Sequence, residues 1–160
     1  MNELLPLATR IGGLLKERRE TVALAESTTG GLLSAALLSV PGASKYFLGG
    51  AVIYTRKSRE LLLDLPGDPP AGMRSSTEPY ALFLAGAVRG RFAATWGIGE
   101  TGAAGPSGNK QGDKPGHSCI AVSGPLDAAV TVETGNPDRV TNMRAFSFAA
   151  LALLAKSLAR

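Results

Sequence analysis

Apolar and polar positions alternate along the chain with two different periods. Leucine, isoleucine and alanine recur near the start at the spacing of one helix face, from Leu4 to Leu15, which predicts a first helix. Shorter apolar segments bounded by glycine, proline or polar residues are typical of strands. The pattern predicts helices over residues 4–19, 32–38, 58–65, from a cap at 76 or 77 to about 92, and 139–158, and strands over residues 21–25, 46–54, 95–101, 117–122 and 128–134.

The order of these elements predicts the fold class. Strands and helices alternate along most of the chain, as in layered α/β domains. The last two strands are separated by a short turn around Gly124-Pro125 and predict a hairpin, which makes the sheet mixed. We therefore expect a three-layer α/β/α sandwich with a mixed, mostly parallel sheet. The 160 residues are too few for two ordinary domains and contain no linker, so we expect one domain over residues 1–160.

Composition and charge narrow the class of protein. Apolar residues make up 44% and charged residues 19% of the chain, against a usual charged share of about 25%, which favours a packed interior over disorder. The net charge of +4 suits either a nucleic acid or an anionic small molecule. The few aromatic residues are not interleaved with the basic ones, so nucleic-acid binding is the weaker interpretation.

Cysteine usage and the absence of long apolar stretches bear on location and metal binding. Cys119 is the only cysteine, which excludes an intrachain disulfide and a cysteine-based zinc site and fits a reducing compartment. The chain start lacks the apolar core of a signal peptide, and no stretch reaches the roughly 18 apolar residues of a membrane span. We therefore expect a cytoplasmic protein. No cluster of His, Asp and Glu has metal-ligand spacing, so we also expect no metal.

The first candidate site follows the first predicted strand, at Glu26-Ser27-Thr28-Thr29-Gly30-Gly31. Hydroxyls and glycines between a strand and a helix N-terminus present backbone N–H groups that can bind phosphate or carboxylate. The same residue types also form an ordinary helix cap with a tight turn, and the local sequence leaves both interpretations open. The segment lacks the Gly-Lys-Ser/Thr ending of a nucleoside-triphosphate loop.

Two further segments follow predicted strands and are expected at the same edge of the sheet. Residues 99–109 are rich in small residues that let a ligand approach the backbone, although such loops are also common as crossovers. Residues 54–59 contain a tyrosine and three cations, which suit either an anion site or a solvated helix start. His117 is the sole histidine and the one imidazole for any Ser-His-Asp triad, but a lone histidine is more often structural.

Four motifs together carry a resemblance to a known family. In order and spacing they resemble the CinA C-terminal domain family, from about Leu4 to the last helix. The family includes bacterial nicotinamide mononucleotide deamidases, which hydrolyse the carboxamide to give nicotinic acid mononucleotide and ammonia. Its larger members carry a further N-terminal domain, so the chain resembles the stand-alone form. The motifs are Ala25-Glu26-Ser27-Thr28-Thr29-Gly30-Gly31, Val40-Pro41-Gly42-Ala43-Ser44, Gly49-Gly50-Ala51-Val52-Ile53-Tyr54-Thr55 and Thr101-Gly102-Ala103-Ala104-Gly105-Pro106.

The resemblance implies a set of site residues. It makes Ser27 the catalytic hydroxyl, Tyr54 the active-site tyrosine and Thr101 the hydroxyl of the second loop, and it adds Arg59, at the position of the family's catalytic lysine, to the catalytic set. Arg59 or Arg139 is expected to hold the substrate phosphate. No metal or organic cofactor is required by this chemistry. The expected partner is a phosphorylated pyridine nucleotide, and apolar positions on several helices make a homodimer plausible. Substrate binding is expected at Thr28, Thr29, Gly30, Gly31, Lys57, Gly102, Gly105 and Arg139.

One departure from the family pattern falls on its catalytic lysine. Where the deamidases have Tyr-Ser-Asn-x-x-Lys, this chain has Tyr54-Thr55-Arg56-Lys57-Ser58-Arg59, so Arg59 stands at the lysine position. Arginine keeps its proton at neutral pH and is a poor general base. Lys57 lies two residues earlier, which places it about 200° around a helix from position 59. We therefore do not assume that Lys57 replaces the family lysine.

Three functional hypotheses follow from this departure and from the charge. The first is an amidohydrolase acting on nicotinamide mononucleotide or a similar phosphorylated amide. The second is a catalytically silent nucleotide-binding module that keeps the pocket and lacks the base. The third and weakest is a DNA-repair or competence partner, which rests on the family name and on the basic pI near 9.5.

Overall fold

The computed structural model describes residues 1–159 and shows helices and strands in the predicted order. The second and last helices have the predicted bounds. The third helix begins two residues before its predicted start, because Thr55 and Ser58 cap each other's backbone N–H groups. The elements are α1 (Leu5–Arg18), β1 (Val22–Glu26), α2 (Leu32–Leu38), a 3-10 helix (Ala43–Lys45), β2 (Phe47–Val52), α3 (Arg56–Leu63), α4 (Glu78–Phe92), β3 (Trp96–Ala103), β4 (His117–Ser123), β5 (Ala128–Glu133) and α5 (Arg139–Leu158).

The strands form one sheet in the order β2-β1-β3-β4-β5. β1 is parallel to both β2 and β3, whereas β4 is antiparallel to β3 and β5 is antiparallel to β4. Four of the five strands therefore run in the same direction, and the predicted mixed, mostly parallel sheet is confirmed. Because β1 and β3 are adjacent, central and parallel, their carboxyl ends meet in the middle of one sheet edge.

Helices cover both faces of this sheet. α1, α2 and α5 pack on one face, around a buried cluster that includes Leu15, Leu24 and Leu154. α4 crosses the other face over β1, β3 and β4, and Leu63 of α3 joins the apolar cluster beneath it. This is the predicted three-layer α/β/α arrangement.

Two glycines in β3 let α4 approach the sheet closely. A Cβ added at Gly97 would lie 2.1 Å from the carbonyl oxygen of Ala85, and one added at Gly99 would lie 2.2 Å from that of Ala81. The helix backbone thus packs directly on the strand. As a result, Tyr80 in the first turn of α4 lies near the carboxyl end of β3.

None of the helices formed by residues 1–159 has the length and apolar character needed to cross a lipid bilayer.

Candidate functional site

A cavity of ≈ 280 Å³ opens where the carboxyl ends of the parallel strands meet. Ser27 follows β1, Tyr54 follows β2, Thr101 lies near the end of β3, and Arg59 comes from α3. This serine cavity therefore brings together all four residues that were predicted as catalytic. Its other lining residues are Ile53, Ser75, Ser76, Tyr80, Leu84, Gly102, Asn109 and Gln111.

A second open cavity, of ≈ 450 Å³, adjoins the serine cavity. The two share Tyr54, Gly102 near the end of β3, and Asn109 and Gln111 of the loop after β3. Three cations, Arg56, Lys110 and Arg139, line the second cavity, which we call the cationic cavity. The site thus has one compartment beside a serine hydroxyl and one that attracts anions.

The residues predicted to bind substrate divide into two groups by position. Thr28, Gly102, Gly105 and Arg139 line the cationic cavity. Thr29, in the loop between β1 and α2, is buried. Gly30 and Gly31 form the turn into α2 with φ of 63° and 95°, values that favour glycine. Lys57 lies outside both cavities, with 73% of its side chain exposed, and pairs with Glu60 at 3.6 Å.

The buried carboxylate of Glu26 occupies the N-terminus of α2. It accepts hydrogen bonds from the backbone N–H groups of Gly31 (3.0 Å), Leu33 (3.1 Å) and Ser34 (2.9 Å). The hydroxyls of Thr29 (2.9 Å) and Ser34 (2.6 Å) donate to it as well. The sequence predicted an anion at this helix terminus, and the anion found there is a carboxylate of the chain itself. These N–H groups are therefore already occupied.

A second buried carboxylate, that of Glu100, holds the loop that carries the serine. It accepts hydrogen bonds from the backbone N–H groups of Ser27 and Thr29, both at 3.0 Å. It also accepts from the hydroxyls of Thr28 and of Ser118, the latter at 2.8 Å. No lysine or arginine within residues 1–159 forms an ion pair with Glu100. The loop is thus fixed by neutral donors around a single negative charge.

Sequence reasoning did not predict Glu26 or Glu100 as site residues in their own right. The available signal was an acidic residue inside an otherwise apolar strand. Such a residue stays buried only where several hydrogen-bond donors surround it. For Glu100, two of the loop hydroxyls of residues 27–29 supply part of this set, together with Ser118.

The Ser27 hydroxyl differs from the other hydroxyls of its loop. Thr28 and Thr29 donate to buried carboxylates, whereas the half-buried Ser27 hydroxyl has no hydrogen-bond partner within residues 1–159. It lines the serine cavity, so it is free to contact a ligand. For the same reason, no general base of the described residues is hydrogen-bonded to it.

Arg59 lies in the serine cavity and is held there by Tyr80. Its Nη1 donates to the Tyr80 hydroxyl at 2.7 Å, and its Nε donates to the carbonyl oxygen of Thr55 at 3.3 Å. Tyr80 is only 2% exposed. The position of the family lysine therefore holds a fixed cation whose nearest hydrogen-bonding side chain is a buried phenol.

The loop before α4 positions Thr101. The Thr101 hydroxyl accepts a hydrogen bond from the backbone N–H of Ser76 at 3.2 Å. Ser76 has a φ of +56°, in the left-handed region that non-glycine residues seldom adopt. Its hydroxyl accepts from the Asn109 side-chain amide at 3.2 Å, and its carbonyl oxygen accepts from His117 Nε2 at 2.9 Å. His117 therefore supports one wall of the serine cavity from behind and lines neither cavity.

The surroundings of His117 are strongly polar although the side chain is buried. Its Nδ1 is hydrogen-bonded to the Glu133 carboxylate, and its Nε2 lies 4.0 Å from the carboxylate of Asp113. Burial lowers the pKa of His117, but the hydrogen bonds to Glu133 and Ser76 and the charges of Glu133 and Asp113 outweigh it. The net effect raises the pKa of His117 above its ordinary value, so the imidazolium form is favoured.

Comparison with known proteins assigns the chain to a family. The model of the CinA C-terminal domain matches residues 4–158, almost the whole chain. The chain belongs to the CinA C-terminal domain family. The family resemblance predicted from the motifs is thereby confirmed. Among residues 1–159, no group of three or more His, Cys, Asp or Glu side chains could hold a metal ion.

Two relatives illustrate how far the similarity extends. A CinA-like protein of Anaeromyxobacter sp. (strain K) is 39% identical over 134 residues, which are 82% of this chain and 33% of that protein. A CinA-like protein of Parasynechococcus marenigrum (strain WH8102) is 34% identical over 158 residues, which are 94% of this chain and 38% of the relative. The chain therefore corresponds to a minor part of these longer proteins.

Solved structures share the fold over nearly their whole length. The competence/damage inducible protein CihA from Agrobacterium tumefaciens superposes with a TM-score of 0.88 at 26% identity, covering 98% of this chain and 96% of that one. A competence-damaged protein (CinA) superfamily protein from Enterobacter cloacae also has a TM-score of 0.88, at 24% identity. These names describe the family and specify no reaction, so the activity has to be argued from the site.

Proposed function

We propose that this CinA-family chain is an amidohydrolase of the nicotinamide mononucleotide deamidase type. The reaction would convert nicotinamide mononucleotide, or a similar phosphorylated amide, and water to the corresponding acid and ammonia. The observation that carries the proposal is the free Ser27 hydroxyl in a cavity that adjoins a second, cationic one. An amide fits beside the hydroxyl while a phosphate fits among the cations. The resemblance to the deamidases supports the same assignment.

The cations of the second cavity support phosphate binding. Arg56 is already paired with Asp68 at 2.7 Å, whereas Arg139 and Lys110 have no ion-pair partner within residues 1–159. A guanidinium group matches the geometry of a phosphate because it can donate two parallel hydrogen bonds. We therefore assign the phosphate to Arg139, with Lys110 as an additional positive charge.

The chemistry assigns roles to three of the four catalytic residues predicted from the sequence. Amide hydrolysis needs a nucleophile, a base that accepts the proton of the nucleophile, donors for the developing oxyanion and an acid that protonates the departing nitrogen. Ser27 attacks the carboxamide carbon, and the Thr101 hydroxyl donates to the oxyanion. Tyr54 lines both cavities and contacts the substrate between its amide and its phosphate.

The backbone N–H groups of the loop that carries Ser27 are less available to bind the oxyanion than the sequence implies. The N–H groups of Ser27 and Thr29 donate to Glu100, and that of Gly31 donates to Glu26. A ligand would have to displace a buried carboxylate to use them, which is costly because the carboxylate would lose its partners. Side-chain donors therefore carry the oxyanion in this proposal.

A second candidate function is a nucleotide-binding module without turnover. One observation favours it: Arg59 occupies the position of the family lysine and keeps its proton, so it cannot act as a base. Under this alternative the two cavities bind the same phosphorylated ligand, and no ammonia is released.

Ammonia release and ligand binding, measured side by side, distinguish the two functions. We expect the purified native chain to release ammonia from nicotinamide mononucleotide, and Ser27→Ala to release it at least about a hundredfold more slowly with binding retained. Ser44→Ala removes an exposed hydroxyl of the 3-10 helix, outside both cavities, and serves as the matched control, with native activity expected. Binding without ammonia from the native chain would instead establish the binding module.

The proposal also covers the cellular compartment of the protein and its oligomeric state. We place the protein in the cytoplasm, since its single cysteine, Cys119, is a buried free thiol, which suits a reducing compartment. A homodimer is proposed from the apolar positions of the helices. Sedimentation equilibrium of the purified chain tests it, and a monomer at micromolar concentration would rule it out.

A further inference from the structure

Tyr80 belongs to none of the motifs that identify the family, yet its side chain lines the serine cavity. It lies in the first turn of α4, which begins after the Thr77 cap. Its ring stacks on Phe83 with the ring centroids 6.0 Å apart, so the phenol is held in place. Its oxygen accepts the 2.7 Å hydrogen bond from Arg59 Nη1.

The Tyr80 hydroxyl has a proton to give. A phenol donates one hydrogen bond and also accepts, and here Arg59 occupies one acceptor position of the oxygen and leaves the other open. No acceptor within residues 1–159 takes the Tyr80 proton. Buried hydroxyls rarely leave a donor unused, so a ligand group is expected to accept it. Because hydrogen bonds in a chain polarise one another, the charged donor Arg59 also strengthens Tyr80 as a donor.

The other polar groups of the cavity are less suited to protonate a departing nitrogen. Arg59 keeps its proton, and His117 lies behind Ser76 and outside the cavity. Tyr54 is 54% exposed, and no cation within the described residues donates to its hydroxyl. Thr101 accepts only from a neutral backbone N–H group. Tyr80 is therefore the buried, cation-bound hydroxyl of the cavity.

We propose that Tyr80 is a catalytic residue that carries the Ser27 proton to the departing amide nitrogen, an inference that rests on the proposed amidohydrolase function. Ser27 Oγ bonds to the carboxamide carbon, the C–N bond breaks, and the nitrogen leaves as ammonia. The Ser27 proton passes to Tyr80 Oη while the Tyr80 proton passes to the nitrogen. Tyr80 is therefore neutral before and after the step.

The second half of the reaction uses the same relay. Water adds to the acyl carbon and the bond between this carbon and Ser27 Oγ breaks, which releases the acid. One water proton passes to Tyr80 Oη, and the Tyr80 proton passes to Ser27 Oγ. The hydroxyl of Ser27 is thus restored, and no further reactant is needed.

Arg59 has a positioning role in this scheme. It remains protonated throughout and holds the Tyr80 oxygen by the bond from Nη1. Negative charge develops on that oxygen during proton transfer, and a fixed cation beside it lowers the energy of that state. A serine–tyrosine–arginine arrangement therefore explains how a chain without the family lysine can turn over an amide.

The test compares two leaving groups in the native chain and in Tyr80→Phe, which removes only the hydroxyl and keeps the ring. An amide nitrogen must be protonated to leave, whereas an aryl oxide leaves without a proton. With nicotinamide mononucleotide we expect kcat to fall about 10²-fold to 10⁴-fold while KM stays within a few fold. With an aryl ester of nicotinic acid mononucleotide we expect a fall at least about tenfold smaller, because only the serine proton then depends on Tyr80.

Tyr46→Phe is the matched control. It also removes a buried tyrosine hydroxyl, but that hydroxyl donates to the Leu37 carbonyl oxygen and lies outside the cavity. We expect native rates with both substrates for this variant. Amide turnover by Tyr80→Phe within about threefold of native, or equal losses with amide and ester, would overturn the role of Tyr80. A native chain that releases no ammonia would overturn the proposed function, and this role with it.

Discussion

Glu26 and Glu100 are buried carboxylates, and within residues 1–159 their hydrogen-bond donors are all neutral groups. Each carboxylate accepts five hydrogen bonds from backbone N–H groups and hydroxyls. A carboxylate removed from water costs several kcal/mol unless such bonds replace its hydration. Satisfying both charges requires one particular conformation of residues 27–34. The two glutamates therefore determine where the Ser27 side chain lies.

Replacing Glu100 by Gln tests whether the buried carboxylate stabilises the fold, because it changes a single atom of the side chain. The substitution keeps the shape but turns one acceptor oxygen into an NH₂ group that faces other donors. We expect the free energy of unfolding, measured in urea, to fall by about 1–3 kcal/mol. Glu60→Gln, at an exposed residue that pairs with Lys57 at 3.6 Å, should change it by less than about 0.5 kcal/mol. Equal unfolding energies for the two variants would show that the buried charge is dispensable.

The raised pKa of His117 makes stability depend on pH. The folded chain binds this proton more tightly than the unfolded chain, in which the pKa is about 6.5. The contribution is therefore complete below about pH 6.5 and is lost as pH rises through the folded pKa. Urea unfolding at a series of pH values should show the advantage of the native chain over His117→Gln shrinking as pH rises.

Two carboxylates face the His117 imidazole. Removing the charge of one of them gives a control for the pH series. Glu133 bonds to Nδ1, and Asp113 lies 4.0 Å from Nε2 and is itself bonded to Arg74 at 2.7 Å. Glu133→Gln removes the charge of Glu133 and its hydrogen bond to the imidazole, the largest of the contributions that raise the His117 pKa, and should flatten the pH dependence. A native advantage that stayed constant from pH 6 to pH 9 would contradict the assignment to His117.

The close contact between α4 and β3 is possible because glycine, which has no side chain, occupies positions 97 and 99 of β3. A Cβ at position 99 would meet the Ala81 carbonyl oxygen and the Ala85 nitrogen, at 2.2 and 2.6 Å. These are backbone atoms, so the helix itself would have to move. We expect Gly99→Ala to lower the free energy of unfolding by about 1–3 kcal/mol or more and to slow turnover, because α4 carries Tyr80.

Gly86 of α4 offers a matched control for Gly99. It lies on the exposed side of the same helix, and a Cβ there meets nothing within 4 Å. Gly86→Ala should raise the free energy of unfolding by about 0.5–1 kcal/mol, because alanine loses less backbone entropy in a helix. If both variants were stabilised, the close packing of α4 on β3 would not limit the fold.

Element order and type followed from local pattern, whereas some boundaries and the hydrogen-bonded core of the site did not. The apolar spacing of residues 139–158 was sufficient to predict α5 with the bounds that the structure shows. β3 runs to Ala103 instead of Thr101, because its last two residues pair with Ser118 and His117 of β4, a contact that no local window contains. The same holds for the bond from the Ser27 N–H group to Glu100, which joins residues 73 positions apart.

At the scale of the whole molecule, the site exists only in the folded chain. Its residues come from the ends of β1, β2 and β3, from α3 and α4, from the loops before α4 and after β3, and from the start of α5. They meet because parallel strands place their carboxyl ends at one edge of the sheet. A ligand that contacts both cavities therefore binds the native state and not the unfolded one, and must stabilise the fold.

This linkage gives a test of the phosphate assignment that does not depend on turnover. At a hundredfold excess over its Kd, nicotinamide mononucleotide should raise the free energy of unfolding by about 2.7 kcal/mol. Nicotinamide riboside lacks the phosphate and should raise it less at the same concentration. In Arg139→Ala the two ligands should become nearly equal, because the guanidinium that distinguishes them is gone. Arg10→Ala removes an exposed cation of α1 and should keep the native difference. If Arg139→Ala kept it too, the phosphate would be bound by other cations of the cavity, Lys110 and Arg56.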